Sequence, residues 1–74
     1  MTDEQRVYLW QAYRFQVSEG GPARDNIPYT PHFDVIVLRL NTRFGTTHSP
    51  NLVFAELSRL DRHPETRTSL GIEA

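Results

Sequence analysis

Three histidines, His32, His48 and His63, are the only imidazoles this chain of 74 residues can offer to a metal or a proton. They stand 16 and 15 residues apart, whereas metal sites usually contain at least one close-spaced pair of ligands. Asp61 lies near His63, but a site built from these groups would have to be assembled entirely by tertiary contacts. There is no cysteine, hence no thiolate ligand, thiol nucleophile or disulfide. Asp34 and Glu56 fall in apolar segments, yet no close pair of carboxylates suggests acid and base work. Glycine-rich phosphate loops, nucleophile elbows and paired-histidine zinc motifs are absent. These residues therefore predict a protein that is not an enzyme and holds no metal or cofactor. His63 is expected at a helix C-terminus, where it complements the dipole.

Two other groups of side chains suit recognition better than catalysis. Tyr8, Trp10, Tyr13 and Phe15 put four aromatics within eight residues, more than a single helix can turn towards one core. Tyr, Trp and Arg dominate binding hot spots. Tyr8, Arg14 and Phe15 are thus candidates for a face that meets a protein partner or a second copy. Arg24 and Tyr29, in the segment that follows, would add a second edge. The other group is Asn51, Ser58, Arg59 and Arg62, with Ala55 among them. Asn, Ser and Arg can contact base edges and phosphates in a major groove, so these four are the nucleic-acid candidates.

Charge argues against the second group. All eight basic side chains are arginine and the formal net charge is −1. Nucleic-acid binders more often carry a clear basic excess. Arginine also gives planar, bidentate recognition of carboxylates and stacks on aromatics, which fits a protein partner equally well.

The elements that must position these residues are legible from caps and apolar spacing. Thr2 with Gln5 three residues on forms a capping box, and Asp3 and Glu4 suit the first turn of a helix. Leu9, Trp10, Tyr13 and Val17 would line its inner face. The same region also alternates, through Val7, Leu9, Tyr13, Phe15 and Val17, so a strand over residues 6–17 is the competing possibility. Gly20-Gly21 ends the element in either case. Residues 19–30 follow as a long loop rich in Pro and Gly, longer than usual for so small a domain.

Thr30-Pro31 restarts a helix with N-cap and N1 signals. Phe33, Ile36, Val37, Leu40 and Phe44 make a helical stripe. Val35 and Leu38 widen it, so this helix is expected to be the most buried, with Gly45 at its C-terminal stop. Ser49-Pro50 repeats the start signal, Val53, Leu57 and Leu60 face inward, and Pro64 forces a stop. The expectation is a small all-α domain of three helices, at about 3–18, 31–44 and 50–62. One domain covers residues 1–64, and a flexible C-terminal tail covers 65–74. The alternative is an α+β domain with the strand at 6–17.

The longest apolar run is Val35–Leu38, far short of the ~20 residues a membrane span needs. The N-terminal "MTDEQRVYLW" is acidic and polar, unlike a signal peptide. A cytoplasmic, soluble protein without a membrane partner is expected. Function reads as a small non-enzymatic binding protein, an adaptor, inhibitor or accessory subunit that acts through a macromolecular protein partner. The alternative is a helix-turn-helix DNA-binding transcription regulator using residues 31–62. A third reading is a minor structural component of a large assembly.

Overall fold

The computed structural model describes residues 1–20 and 31–72, and these form four helices: α1 (Asp3–Ser18), α2 (Pro31–Phe44), α3 (Pro50–Arg62) and α4 (Pro64–Ser69). No strand occurs among the described residues, so residues 6–17 are helix and the α+β alternative is not what forms. The deciding local feature is the capping box. The Gln5 N–H donates to Thr2 Oγ1 at 3.2 Å, and the Thr2 N–H donates to Gln5 Oε1 at 3.1 Å. Two of the orphan donors at the helix start are thereby satisfied, which outweighs the β-favouring content of the segment.

α1 packs against both α2 and α3, and α4 packs against α3. Where the first three helices meet, Leu9, Leu40, Val53, Leu57 and Leu60 are wholly sealed from water. Trp10, Tyr13, Phe33, Ile36 and Val37 surround them. Trp10 and Tyr13 sit 5.3 Å apart between ring centroids, and Phe33 meets Phe54 edge-on at 6.0 Å. Among the described residues no helix is long and apolar enough to cross a membrane.

The junction between α2 and α3 is held by one side chain. Gly45 adopts φ +64, and the Thr46 N–H donates back to the Asn41 carbonyl at 3.0 Å, the 6→1 bond that closes a helix at a left-handed glycine. Asn41 Oδ1 accepts from the Thr46 hydroxyl at 2.9 Å and from the His48 N–H at 3.0 Å, while its Nδ2 donates to the His48 carbonyl at 3.1 Å. His48 Nε2 then lies 3.1 Å from Gln5 Oε1, which ties the junction to the start of α1. Ser49 caps α3 by accepting from the Leu52 N–H at 3.2 Å. On the far side of α1, Arg6 Nε donates to Glu56 at 3.0 Å and Arg6 Nη1 to Asp3 at 2.9 Å. The bond to Glu56 raises the Arg6 pKa above its ordinary value, so the guanidinium of this link between α1 and α3 stays charged at every accessible pH.

Two expectations need correction. Residues 64–69 are a short helix where a flexible tail was expected, and Leu70 and Ile72 pack against the core. Pro64 at N1 starts α4, and Gly71 at φ +79 ends it, with the Ile72 N–H donating to the Arg67 carbonyl at 2.9 Å. Arg67 anchors the unit. Its guanidinium lies 4.8 Å from the Trp10 ring centroid, and Nη1 donates to the carbonyls of Leu60 and Asp61 at the end of α3. A cation there meets both the negative end of a helix and an aromatic face. Secondly, Val35 and Leu38 do not widen the buried stripe of α2; both are exposed. Neighbours cover only one side of that helix, and seven apolar positions cannot all turn to it.

Replacing Arg67 by Ala is expected to lower unfolding free energy by about 1–2 kcal/mol in a urea titration. Lysine should restore only part of that, because it lacks the planar guanidinium that lies over Trp10 while its Nη1 bonds two carbonyls.

The start of α4 should also respond to acid. Glu65 has its pKa lowered, chiefly by a hydrogen bond from its own backbone N–H and then by His63, whose Nδ1 lies 3.1 Å away. A carboxyl with a depressed folded-state pKa contributes stability that is complete above its unfolded value and disappears as pH falls through the folded one. The protection factors of the α4 amides, corrected for the intrinsic pH dependence of exchange, should therefore fall on acidification, and Glu65→Gln should flatten that response.

Candidate functional site

Helix α1 carries two stripes. One, through Leu9, Trp10 and Tyr13, is spent on the core. The other runs through Tyr8, Gln11, Ala12, Phe15, Gln16 and Glu19. This spacing of three and four keeps them on one face of the helix. It forms one wall of a groove of about 650 Å3. Pro31, His32, Val35, Ile36 and Arg39 of α2 form the opposite wall.

The aromatic surplus of α1 is divided between the two stripes. Trp10 and Tyr13 go to the core, whereas Phe15 remains 61% exposed beside the groove. Tyr8 is half-buried, with its ring edge-on to Phe44 at 5.6 Å. That contact joins the first half of α1 to the end of α2, so the two helices run antiparallel and Glu19 lies by the start of α2. Ala12 keeps one wall shallow between Tyr8 and Phe15. Val35, 46% exposed, faces them from α2. A phenyl ring and a valine left in water with an alanine-floored channel between them form a surface suited to an apolar partner.

Polar groups rim the channel. Arg39 and His32 supply donors on the α2 wall; Glu19 supplies a carboxylate and Gln11 and Gln16 carry amides on the α1 wall. Neither Arg39 nor Glu19 has an ion-pair partner among the described residues. A concave apolar site with a few polar groups at its edge is the usual form of a binding surface.

The sequence-predicted residues are only partly gathered here. Tyr8 and Phe15 line the groove, and Arg14, exposed, projects from α1 outside it. Arg24 and Tyr29 lie outside the described residues. Asn51, Arg59 and Arg62 are exposed and Ser58 half-buried, all towards the outer side of α3. The histidines stay apart: His32 at the groove, His48 against Gln5 and His63 against Glu65. Among the described residues no group of three or more His, Cys, Asp or Glu comes together in a metal-binding cluster. Missed from the sequence were Ala12, Val35, Ile36, Glu19 and Arg39. The signal for the α1 wall was present, as a second apolar stripe offset from the first. The α2 wall had none, since Val35 and Ile36 read simply as core.

No protein-family model matches this chain, and no curated protein or solved structure matches it either.

Because Phe15 contributes nothing to the core, Phe15→Ser should change stability by no more than about 0.5 kcal/mol. Tyr13→Ser, two residues back but on the buried stripe, should cost about 3 kcal/mol or more. Chemical denaturation of the two variants compares them directly.

Proposed function

We propose that this protein is a small non-enzymatic binding module, an adaptor, inhibitor or accessory subunit, that takes a protein partner in the groove between α1 and α2. The carrying observation is the exposure of Phe15 beside an apolar channel that the fold leaves open. An exposed phenylalanine costs solvation in the free protein and gains it back only when covered. Large aromatics of this kind, ringed by polar groups, are the common anchors of protein interfaces. The rim residues Arg39 and Glu19 supply charges that can select orientation as much as affinity. A component of a larger assembly would use the groove in the same way.

A second reading, a helix-turn-helix DNA regulator, draws support from one observation: Asn51, Arg59 and Arg62 share the exposed side of α3. Two arginines on a chain of net charge −1 make a small electrostatic footprint, so the groove is the favoured site.

A photoreactive amino acid placed at position 15 is expected to cross-link to protein in cells, while one placed at position 62 does not. Labelling that is equal at the two positions, or absent from position 15, overturns the reading. Salt-dependent binding of duplex DNA, lost when Arg59 and Arg62 are both replaced by Ala, would instead select the second reading.

A further inference from the structure

The groove has a polarity that bears on what fills it. Glu19 sits on the α1 wall beside the first turn of α2, and Arg39 sits on the α2 wall about two turns further along. At 1.5 Å per residue the two lie roughly 10 Å apart along the channel. They do not pair with each other, and neither has another ion-pair partner among the described residues. One apolar channel therefore carries two opposite, unspent charges at different levels, with Phe15 and Val35 between them.

That arrangement is self-complementary. A two-fold axis lying in the plane of the interface, midway between Glu19 and Arg39, carries each onto the other's counterpart. Two ion pairs form for one operation, and the exposed Phe15 and Val35 of both copies come together near the axis. Closed pairing through the same patch on both subunits is the commonest symmetry of soluble oligomers. A net charge of −1 sets almost no long-range repulsion between copies. A different protein would have to bring both an acidic and a basic group at the matching separation. A second copy of this chain has them by construction.

We propose that the groove of one copy is covered by the same groove of a second, in a two-fold dimer held by Phe15 and Val35 and registered by Glu19 against Arg39 of the other copy. This rests on the reading of the groove as a protein-binding surface and names its occupant.

Charge reversal tests it. Glu19→Arg places two positive charges on the face, and Arg39→Glu places two negative ones, so each variant repels itself at both contacts. Sedimentation equilibrium of the full chain is expected to show a wild-type dimer, with each single variant associating at least about tenfold more weakly. An equimolar mixture of the two variants should recover dimerisation, because every contact then joins opposite charges. Phe15→Asp should be monomeric alone and when mixed with either charge variant. Both charged positions are exposed, and circular dichroism verifies that the variants stay helical.

A wild-type monomer at every concentration overturns the proposal, as does a mixture that associates no better than the single variants. A dimer that survives all three changes uses another face and overturns it equally. If the wild type is monomeric while position 15 still cross-links to a different protein, the binding-module reading stands and only the second copy is lost. If position 15 cross-links to nothing, both fall.

Discussion

Five side chains, Leu9, Leu40, Val53, Leu57 and Leu60, exclude water completely at the point where three helices converge, and the remaining contacts depend on that convergence. A chain of this length buries too little surface to support several independent clusters. The helices must therefore aim their best stripes at one place. For α3 this is simple, because Val53, Leu57 and Leu60 are spaced to fall on one side. For α1 and α2 it leaves a surplus. α1 brings four aromatics, and α2 a stripe wider than its neighbours can cover.

The periphery is tightened by side chains that bond backbone. Asn41 spans the α2–α3 junction with three hydrogen bonds, and Arg67 bonds the last carbonyls of α3 while it rests on Trp10. In each case one polar side chain answers backbone groups that a helix end or a turn would otherwise leave unsatisfied. Such bonds compensate for the small core. They also stiffen α1 and α3 and the junction, and none of them lies in the groove between α1 and α2. The site is thus the side of the molecule where apolar surface is left over and where Glu19 and Arg39 have no ion-pair partner among the described residues.

How much of this was legible from the sequence differs by element. The three longer helices were, because their starts carry chemistry that acts within a few residues: Thr2 with Gln5, and Ser49 with Pro50. The fourth helix was marked by Pro64 and Gly71, the same punctuation, but its polar "PETRTS" has no apolar stripe by which to recognise it. Arg67 explains why it forms there regardless: the helix is held by a cation on Trp10, a residue 57 positions earlier. The candidate site was half legible. The crowding of Tyr8, Trp10, Tyr13 and Phe15 required that some aromatic stay outside the core, yet which one depends on the azimuth at which α1 meets α2 and α3.

By itself, then, the sequence determined the positions and ends of the three longer helices and the existence of an aromatic excess, since caps, glycine stops and periodicity are local interactions. Only the tertiary structure decided that Phe15 is the aromatic left in water and that Val35 faces it. Only there do Glu19 and Arg39 enter one channel at separate levels. Those outcomes follow from the packing of two antiparallel helices around a core too small to use every apolar side chain. Two residues some twenty positions apart in the chain share a groove only once that packing has set their distance.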